Sequence, residues 1–312
     1  MKQDTMIWGL LLHLSYNMWS DRDCPEWGVE HIGAKPYLRF DESLWNDLLL
    51  QACHAGINTI VLDLGDGIRY HSHPEIAVQG AWDTQKLREE LHKMRDLGLE
   101  PLPKLNFSTC HDTWLGSYAR MVSTPAYYQV CRDLIAEVCE LFDGPRLFHL
   151  GMDEETAEHQ RHYEYVVVRQ YDLWWRDLLF YLDEVSKAGS RGWVWSDYVW
   201  QHPQLFYQNM PKTVLQSNWY YGHDFGPDST EARAYDDLEA HSYEQVPTGS
   251  NWTVPDNMRL TVEHCQKAIA PERLCGYLMS VWKPTLEICR TRHEQAIRCL
   301  AEARLAFTHK NI

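Results

Sequence analysis

The sequence predicts an α/β fold, a single (β/α)8 TIM barrel that spans residues 1–312. Three observations lead to this prediction. Eight short β-rich runs alternate with longer helical stretches from one end of the chain to the other. The composition does not change along the chain, and no linker interrupts it. The first run is not followed by a glycine-rich phosphate loop, so a doubly wound open sheet is disfavoured.

The strands are predicted from short apolar runs. In the second run, Asn-Thr-Ile-Val-Leu-Asp-Leu at 58–64, apolar side chains dominate, which is typical of a strand buried on both faces. The fourth run, at 146–151, ends at a glycine and leads directly into acidic residues. In chain order, the predicted strands cover residues 6–14, 58–64, 100–107, 146–151, 192–196, 213–217, 245–250 and 275–281.

Helices are predicted where apolar residues recur with helical spacing and where capping residues mark the ends. The stretch 84–97 is charged and amphipathic, with Asp83 or Thr84 as N-cap and Gly98 just past its end. Pro125 fits the first turn of the following helix, and Gly189 would end the long helix after the fourth strand. The predicted helices cover residues 44–55, 84–97, 124–142, 163–187, 203–208, 229–241, 260–268 and 287–307.

The bulk composition excludes several classes of protein. The chain has 29 basic and 44 acidic residues, a net charge of −15, and no basic cluster, which argues against a nucleic-acid partner. Its nine scattered cysteines are typical of free thiols in a reducing compartment. The apolar run at 9–12 is too short to span a membrane and has no clear cleavage site, although a chain whose leader was removed would look the same. We therefore expect a cytoplasmic protein without a membrane partner.

Acidic, amide and aromatic side chains accumulate at the predicted strand ends. In a TIM barrel, residues just past the carboxyl ends of the strands assemble the active site. The candidates for ligand binding are Trp8, His13, Asp66, Arg69, Asn106, His111, His149, Trp195, Asp197, Trp219, Tyr220, Asn251, Trp252 and Trp282. Indole faces stack on the C–H faces of sugars, and sugar hydroxyls need polar partners. The pattern therefore predicts a small carbohydrate ligand and no cofactor.

The acidic tripeptide Asp153-Glu154-Glu155 follows the fourth predicted strand. Such a tripeptide is often only a solvated loop or a helix start, where the helix dipole favours acids. Placed after a barrel strand and near indoles, Asp153 and Glu154 are instead typical of glycoside hydrolysis. That reaction needs one carboxyl group to protonate the leaving oxygen and a second group to stabilise the oxocarbenium-like transition state. Because adjacent carboxylates repel each other, one of them tends to have a raised pKa, as a general acid requires.

The pattern His149-x-Gly151-x-Asp153-Glu154 resembles the H-x-G-x-D-E signature of glycoside hydrolase family 20, the β-N-acetylhexosaminidases. The resemblance continues in order along the barrel: segment 7–12 is similar to the family's first strand, segment 195–197 to its fifth-strand W-x-[DE], and Trp219 and Trp282 to later tryptophans. It implies a catalytic barrel alone and a retaining, substrate-assisted reaction. In that reaction the 2-acetamido oxygen attacks the anomeric carbon, Asp153 polarises the acetamido group, and Glu154 is the general acid/base.

The sequence also departs from the family pattern. Trp8 stands where the family has an arginine that holds sugar hydroxyls, and His13 stands where it has an aspartate. Lys104 and Asn106 replace the two acids of its P-E-I-D segment. The seventh-strand Tyr-x-Asp that completes the acetamido clamp has no clear match, the nearest residues being 251–252. These departures leave the sugar and its linkage open.

Two other readings remain open. A sugar-binding barrel without turnover is favoured by the missing arginine, whereas the intact acid pair argues against it. A metal-dependent barrel hydrolase would need His71, His73, His111 and Asp63 to gather at one strand end, but no ligand spacing supports that set. We predict no metal site.

Overall fold

The computed structural model describes residues 6–309, so residues 1–5 and 310–312 of the predicted domain lie outside the described part. Within it, eight strands alternate with helices. The strands are β1 (Ile7–His13), β2 (Thr59–Asp63), β3 (Glu100–Lys104), β4 (Leu147–His149), β5 (Arg191–Trp195), β6 (Leu215–Ser217), β7 (Thr248–Ser250) and β8 (Gly276–Ser280). The helices are α1 (Glu42–His54), α2 (Thr84–Asp96), α3 (Pro125–Leu141), α4 (Asp172–Lys187), α5 (Tyr198–Gln201), α6 (Pro203–Asn209), α7 (Thr230–Ala240), α8 (Asn257–Ala268) and α9 (Arg290–His309).

The strands form one parallel sheet that closes on itself. Hydrogen-bonded neighbours follow the order β6-β5-β4-β3-β2-β1-β8-β7. The two ends of this order meet through parallel bridges that join Gln216 to Gln245 and Trp219 to Thr248. The predicted (β/α)8 barrel is therefore confirmed.

Alternating side chains divide the apolar core into two parts. Leu11, Val61 and Leu102 point into the barrel, whereas Leu10 and Ile60 on the same strands pack against the helices. This period of two follows from the pleat of a β-strand. Because both faces of each strand are covered, the runs are apolar throughout, which is the pattern that predicted them.

The largest difference from the predicted elements concerns the helix after β4. It was predicted over 163–187 but begins at Asp172. The preceding residues form a loop instead, in which the buried Arg169 makes ion pairs with Glu155 and Asp177. These tertiary contacts outweigh local helical preference. The strand β4 also ends early, because Gly151 (φ 70°) turns the chain out of the sheet.

A buried polar layer crosses half of the barrel below its carboxyl end. His13, Asp63, Lys104 and His149 are register neighbours on β1 to β4. Lys104 forms a buried ion pair with Asp63, whose Oδ2 lies 3.4 Å from His13 Nδ1. Burial lowers the pKa of His13, and burial together with the charge of Lys104 lowers the pKa of His149 well below its usual value. Both imidazoles are therefore neutral, and the layer forms the floor of the barrel mouth.

Among residues 6–309, no helix is both long and apolar enough to cross a bilayer. The cytoplasmic location stays a prediction.

Candidate active site

A cavity of ≈ 460 Å³ opens at the carboxyl ends of the strands. One wall is polar and contains Asp153, Glu154, Cys110, His111 and His159. The facing walls are aromatic and contain Trp19, Trp27, Trp219, Tyr221, Trp252 and Trp282. A larger and more open hollow of ≈ 720 Å³ lies beside the β1–α1 loop, and its Asp23 is paired with Lys35. The smaller cavity therefore has the better arrangement for chemistry.

Three side chains on the polar wall form an acid cluster, which we define as His111, Asp153 and Glu154. His111 Nε2 lies 3.3 Å from Asp153 Oδ2 and 3.3 Å from Glu154 Oε2. Burial opposes a charge on the imidazole, but the two carboxylates outweigh it and raise the pKa of His111 to about 10. Burial also opposes ionisation of Asp153, yet His111 and then Lys104 hold the pKa of this carboxyl well below its ordinary value. At neutral pH the cluster contains an imidazolium and an ionised Asp153.

The side chain of Asp153 is oriented by Asn106. Asn106 Nδ2 donates to Asp153 Oδ1 over 2.8 Å, and Asn106 Oδ1 accepts from the backbone N–H groups of Ser108 and Met152. A Cβ atom on Gly151 would lie 1.9 Å from Asn106 Oδ1, and the φ of this residue is +70°. The glycine of the 149–154 motif is therefore required both for the turn and for the approach of Asn106.

The backbone of Glu154 is held in a left-handed conformation, with φ 56°. Its N–H donates to Asp197 Oδ2 over 2.8 Å, and its carbonyl accepts from Cys110 Sγ over 2.7 Å. On the other side of its carboxyl group, His159 Nε2 lies 3.6 Å from Glu154 Oε1. Burial, followed by the charge of Asp153, raises the pKa of Asp197 to about 8. The adjacent-acid argument did not indicate Asp197, whose pKa is raised, and the pKa of Asp153 is lowered.

The aromatic wall presents the hydroxyl group of Tyr221. Tyr221 Oη accepts from Trp282 Nε1 over 3.1 Å and from Ser280 Oγ over 3.2 Å. Trp219 stacks on the Tyr221 ring, with centroids 5.1 Å apart. The Ser280 hydroxyl has one proton and also lies 3.1 Å from the carbonyl of Gly249, so the Tyr221 hydroxyl can turn its proton toward either Ser280 or a ligand in the cavity.

Two loops meet over one side of the cavity, the loop that follows β1 and the loop that follows β4. Arg22 Nε donates to the carbonyl of His162 over 2.8 Å. The rings of Trp27 and His162 stack with centroids 4.7 Å apart. We call this connection the loop bridge, and Trp27 and His159 line the cavity beneath it.

The predicted site residues fall into three groups. The cavity is lined by His111, Asp153, Glu154, Trp219, Trp252 and Trp282. The residues that lie behind or below this lining are His13, Asn106, His149, Trp195 and Asp197. The residues that do not come to the cavity are Trp8, Asp66, Arg69, Tyr220 and Asn251.

Each of the five displaced residues has another environment. Trp8 faces away from the barrel axis and stacks on Tyr277 at 5.2 Å, because it alternates with the inward residues of β1. Arg69 is exposed, and Tyr220 packs on Phe225 at 5.1 Å. Asp66, which follows β2, accepts from Ser15 and Asn17 of the loop after β1, and burial raises its pKa to about 6. Asn251 donates to the carbonyl of Arg292 over 2.9 Å.

The predicted set of binding residues leaves out eight residues of the lining. These are Tyr16, Trp19, Trp27, Val29, Ile32, Cys110, His159 and Tyr221. For Tyr221 a signal was present: alternation puts it on the same side as Trp219 and puts Tyr220 on the other. The other seven lie in long loops, where no periodic pattern indicates direction.

The residues proposed for a metal-dependent hydrolase are not gathered. His73 contacts Glu75 and Asp133 on the barrel exterior, while Asp63 is paired with Lys104 inside it. Within residues 6–309, two other groups have ligand atoms within 4.8 Å of one another, the acid cluster and the set Cys24, Glu26 and His162. Of these two groups, the acid cluster lines the cavity, whereas the other lies in the loops above it. The imidazole and carboxylate donors of the acid cluster are of the kind that Zn²⁺ accepts.

The fold and the cavity together define a TIM-barrel protein whose site combines carboxylates with aromatic walls. No protein-family model matches the sequence, and no curated protein matches it either. Its fold is similar to that of the β-N-acetylhexosaminidase from Bacteroides fragilis NCTC 9343, at 14% identity and a TM-score of 0.68 over 96% of this chain and 65% of that one. It is also similar to the family 20 exo-β-N-acetylglucosaminidase from Vibrio harveyi in complex with N-acetylglucosamine, at 14% identity and a TM-score of 0.64 over 96% of this chain and 54% of that one.

Dispersin B is similar over nearly its whole length, with 12% identity, a TM-score of 0.61, and coverage of 96% of this chain and 99% of that one. The chain thus spans between about half and two thirds of the first two structures and almost all of the third. At these identities the similarity establishes that the chain has the fold of the family 20 catalytic barrels.

Proposed function

We propose that this protein is a glycoside hydrolase of family 20, an exo-acting β-N-acetylhexosaminidase that retains configuration. The observation that carries the proposal is the acid cluster on the wall of an aromatic cavity at the barrel mouth. Similarity of the whole barrel to family 20 structures supports the same assignment.

Asp153 is suited to bind the acetamido N–H of the substrate. Its carboxyl group is ionised, because His111 and Lys104 hold its pKa low, and Asn106 fixes its orientation. An ionised acceptor strengthens its hydrogen bond to the N–H and makes the acetamido oxygen a better nucleophile. The Tyr221 hydroxyl, whose oxygen accepts from the Trp282 N–H, would donate its proton to that carbonyl oxygen and take the role of the missing seventh-strand tyrosine.

The reaction would then proceed in two steps. The acetamido oxygen bonds to the anomeric carbon while the bond to the leaving oxygen breaks, and Glu154 gives its proton to that oxygen. Water next bonds to the anomeric carbon, its proton passes to Glu154, and the oxazoline ring opens. The indole rings of Trp219 and Trp282 stack on the sugar.

A panel of nitrophenyl glycosides with and without the 2-acetamido group tests the proposal. We expect cleavage of the acetamido sugars and little or none of the matched glucosides and galactosides. The isosteric Asp153→Asn variant should lose activity on every acetamido substrate, because the first step needs the anionic acceptor. Equal turnover of sugars that lack the acetamido group would refute substrate-assisted catalysis.

A second candidate function is sugar binding without turnover. It is favoured by the absence of an arginine or lysine among the cavity-lining residues of the described chain. Calorimetry with an N-acetylhexosamine thiazoline separates the two candidates. Binding of the thiazoline with no hydrolysis of any aryl hexosaminide would support the binding protein.

A further inference from the structure

The third acid of the Asp-Glu-Glu tripeptide has no part in the proposed reaction. The Glu155 side chain is 3% exposed and does not line the cavity. It nevertheless accepts four hydrogen bonds, three from Arg169 and one from the backbone N–H of Thr109. A carboxylate this completely bonded and this far from solvent serves to fix its surroundings.

Arg169 connects Glu155 to two neighbouring elements. Its Nη2 donates to Glu155 Oε2 over 2.6 Å and to the carbonyl of Phe107, past the end of β3, over 2.6 Å. Its Nη1 donates to Tyr181 Oη over 2.7 Å and to Asp177 Oδ2 over 3.2 Å, both on α4. The guanidinium group is therefore saturated, and it joins the tripeptide to the β3 loop and to a helix of the outer shell.

We call the Arg169–Glu155 pair the anchor. It lies directly beside Glu154, whose backbone is strained. A left-handed backbone is unfavourable for a glutamate, so Glu154 keeps φ 56° only through contacts that hold it. Its own N–H and carbonyl are bonded to Asp197 and Cys110, and its two neighbours are held as well. On the amino side, Ser108 Oγ donates to the carbonyl of Asp153. On the carboxyl side, the hold comes from Glu155 and Arg169.

We infer that Arg169 and Glu155 are positioning residues that fix the carboxyl group of Glu154, although neither reaches the cavity. The inference rests on the proposed function in assigning proton donation to Glu154. If the pair is weakened, Glu154 can relax and its carboxyl group moves away from the leaving oxygen. Asp153 keeps its own support from Asn106, so binding of the acetamido group is preserved.

The variants Arg169→Lys and Glu155→Gln test the inference through leaving-group dependence. A poor leaving group needs a proton, whereas a dinitrophenolate does not. We expect the ratio of kcat/KM for a poor to a good leaving group to fall by about 10- to 100-fold in both variants, part of the ~10²–10⁴-fold effect of a general acid. Thiazoline affinity should be unchanged. Two variants are used so that Glu155→Gln carries the test if Arg169→Lys does not fold.

Glu90→Gln is the matched control. Glu90 is also buried and bonded, to Lys86 at 2.9 Å and to Trp45 at 2.8 Å, but it lies between α1 and α2 on the outer shell. This variant should lose stability without a change in leaving-group dependence. Equal losses for good and poor leaving groups in the Arg169 and Glu155 variants would overturn the inference.

Amide hydrogen exchange separates failure of the inference from failure of the proposed function. We expect faster exchange at residues 152–156 in the Arg169→Lys and Glu155→Gln proteins, and not in Glu90→Gln. This readout needs no glycosidase activity. Unchanged exchange at residues 152–156 would refute the positioning role of Arg169 and Glu155, even in an active enzyme. Faster exchange in a protein that cleaves no glycoside would support that role and refute the proposed function.

Discussion

Replacement of His111 by asparagine removes the imidazolium that bridges two carboxylates. His111 is 3% exposed and lies 3.3 Å from both Asp153 and Glu154, so the variant leaves the ionised Asp153 without its countercharge. Removing one partner of a buried ion pair lowers the free energy of unfolding by about 3–5 kcal/mol. With an unfolding entropy of about 2.1 cal/mol/K per residue over 312 residues, the melting temperature should fall by about 5–8 °C.

The pH dependence of this loss has a definite sign. The pKa of His111 is raised from 6.5 to about 10, so its stabilisation is complete below pH 6.5 and is lost as pH rises through 10. The difference in unfolding free energy between wild type and His111→Asn should therefore shrink from pH 7 toward pH 10. Urea denaturation at a series of pH values measures it.

His293 provides the matched control. It is buried, but its Nε2 contacts the carbonyl of Pro284 at 3.0 Å, and burial lowers its pKa to about 4. Its stabilisation is present above pH 6.5 and is lost as pH falls through 4, so the His293→Asn difference should stay constant between pH 7 and pH 10. A His111→Asn difference that is equally constant, or below about 1 kcal/mol at pH 7, would refute the imidazolium bridge.

Three further predictions concern the same cavity. Tyr221→Phe leaves the Trp282 N–H without an acceptor, so the unfolding free energy should fall by about 1–3 kcal/mol in urea denaturation and kcat/KM by about 10²-fold; unchanged kinetics would contradict donation by this hydroxyl. The raised pKa of Asp197, about 8, makes the wild type less stable as pH rises toward and through 8. The melting temperature of Asp197→Asn should therefore rise progressively above that of the wild type from pH 5 to 9. A constant difference in melting temperature over this range would disprove this. Hydrolysis should persist in EDTA, whereas added Zn²⁺ should inhibit by binding the acid cluster; loss of activity on chelation would instead favour a metal-dependent hydrolase.

The fold was predictable because it depends on local patterns. Runs such as 58–64 are apolar on both faces, and capping residues such as Asp83, which accepts from the Lys86 N–H, mark helix starts directly in the sequence. The acid pair was predictable for the same reason, since it follows a strand and the fold places strand ends together. The specific direction of each side chain required one more rule, the alternation along a strand. That rule separates Tyr221 from Tyr220, and it turns Trp8 away from the barrel axis.

The remaining cavity wall could not be predicted, because it depends on contacts between distant parts of the chain. Trp27 lies in a loop without periodicity, and its place is set by a ring stack with His162, far along the sequence. Arg169 occupies what local spacing predicts to be helix, and it becomes a loop residue through its partners Glu155, after β4, and Asp177, on α4. Such contacts leave no signal within a short window of sequence.

The loop bridge has a consequence for the kind of polymer that this protein could process. A sugar in the interior of a glycan is linked on both sides, so the cavity would need two exits, one for each adjoining part of the glycan. Trp27 and His162 join the β1 and β4 loops over one side of the cavity, so a chain leaving on that side would have to displace this contact. Under the proposed function, we therefore expect only the terminal sugar of a glycan to enter the cavity. Long unbranched glycans should be shortened from one end and not cut at internal linkages.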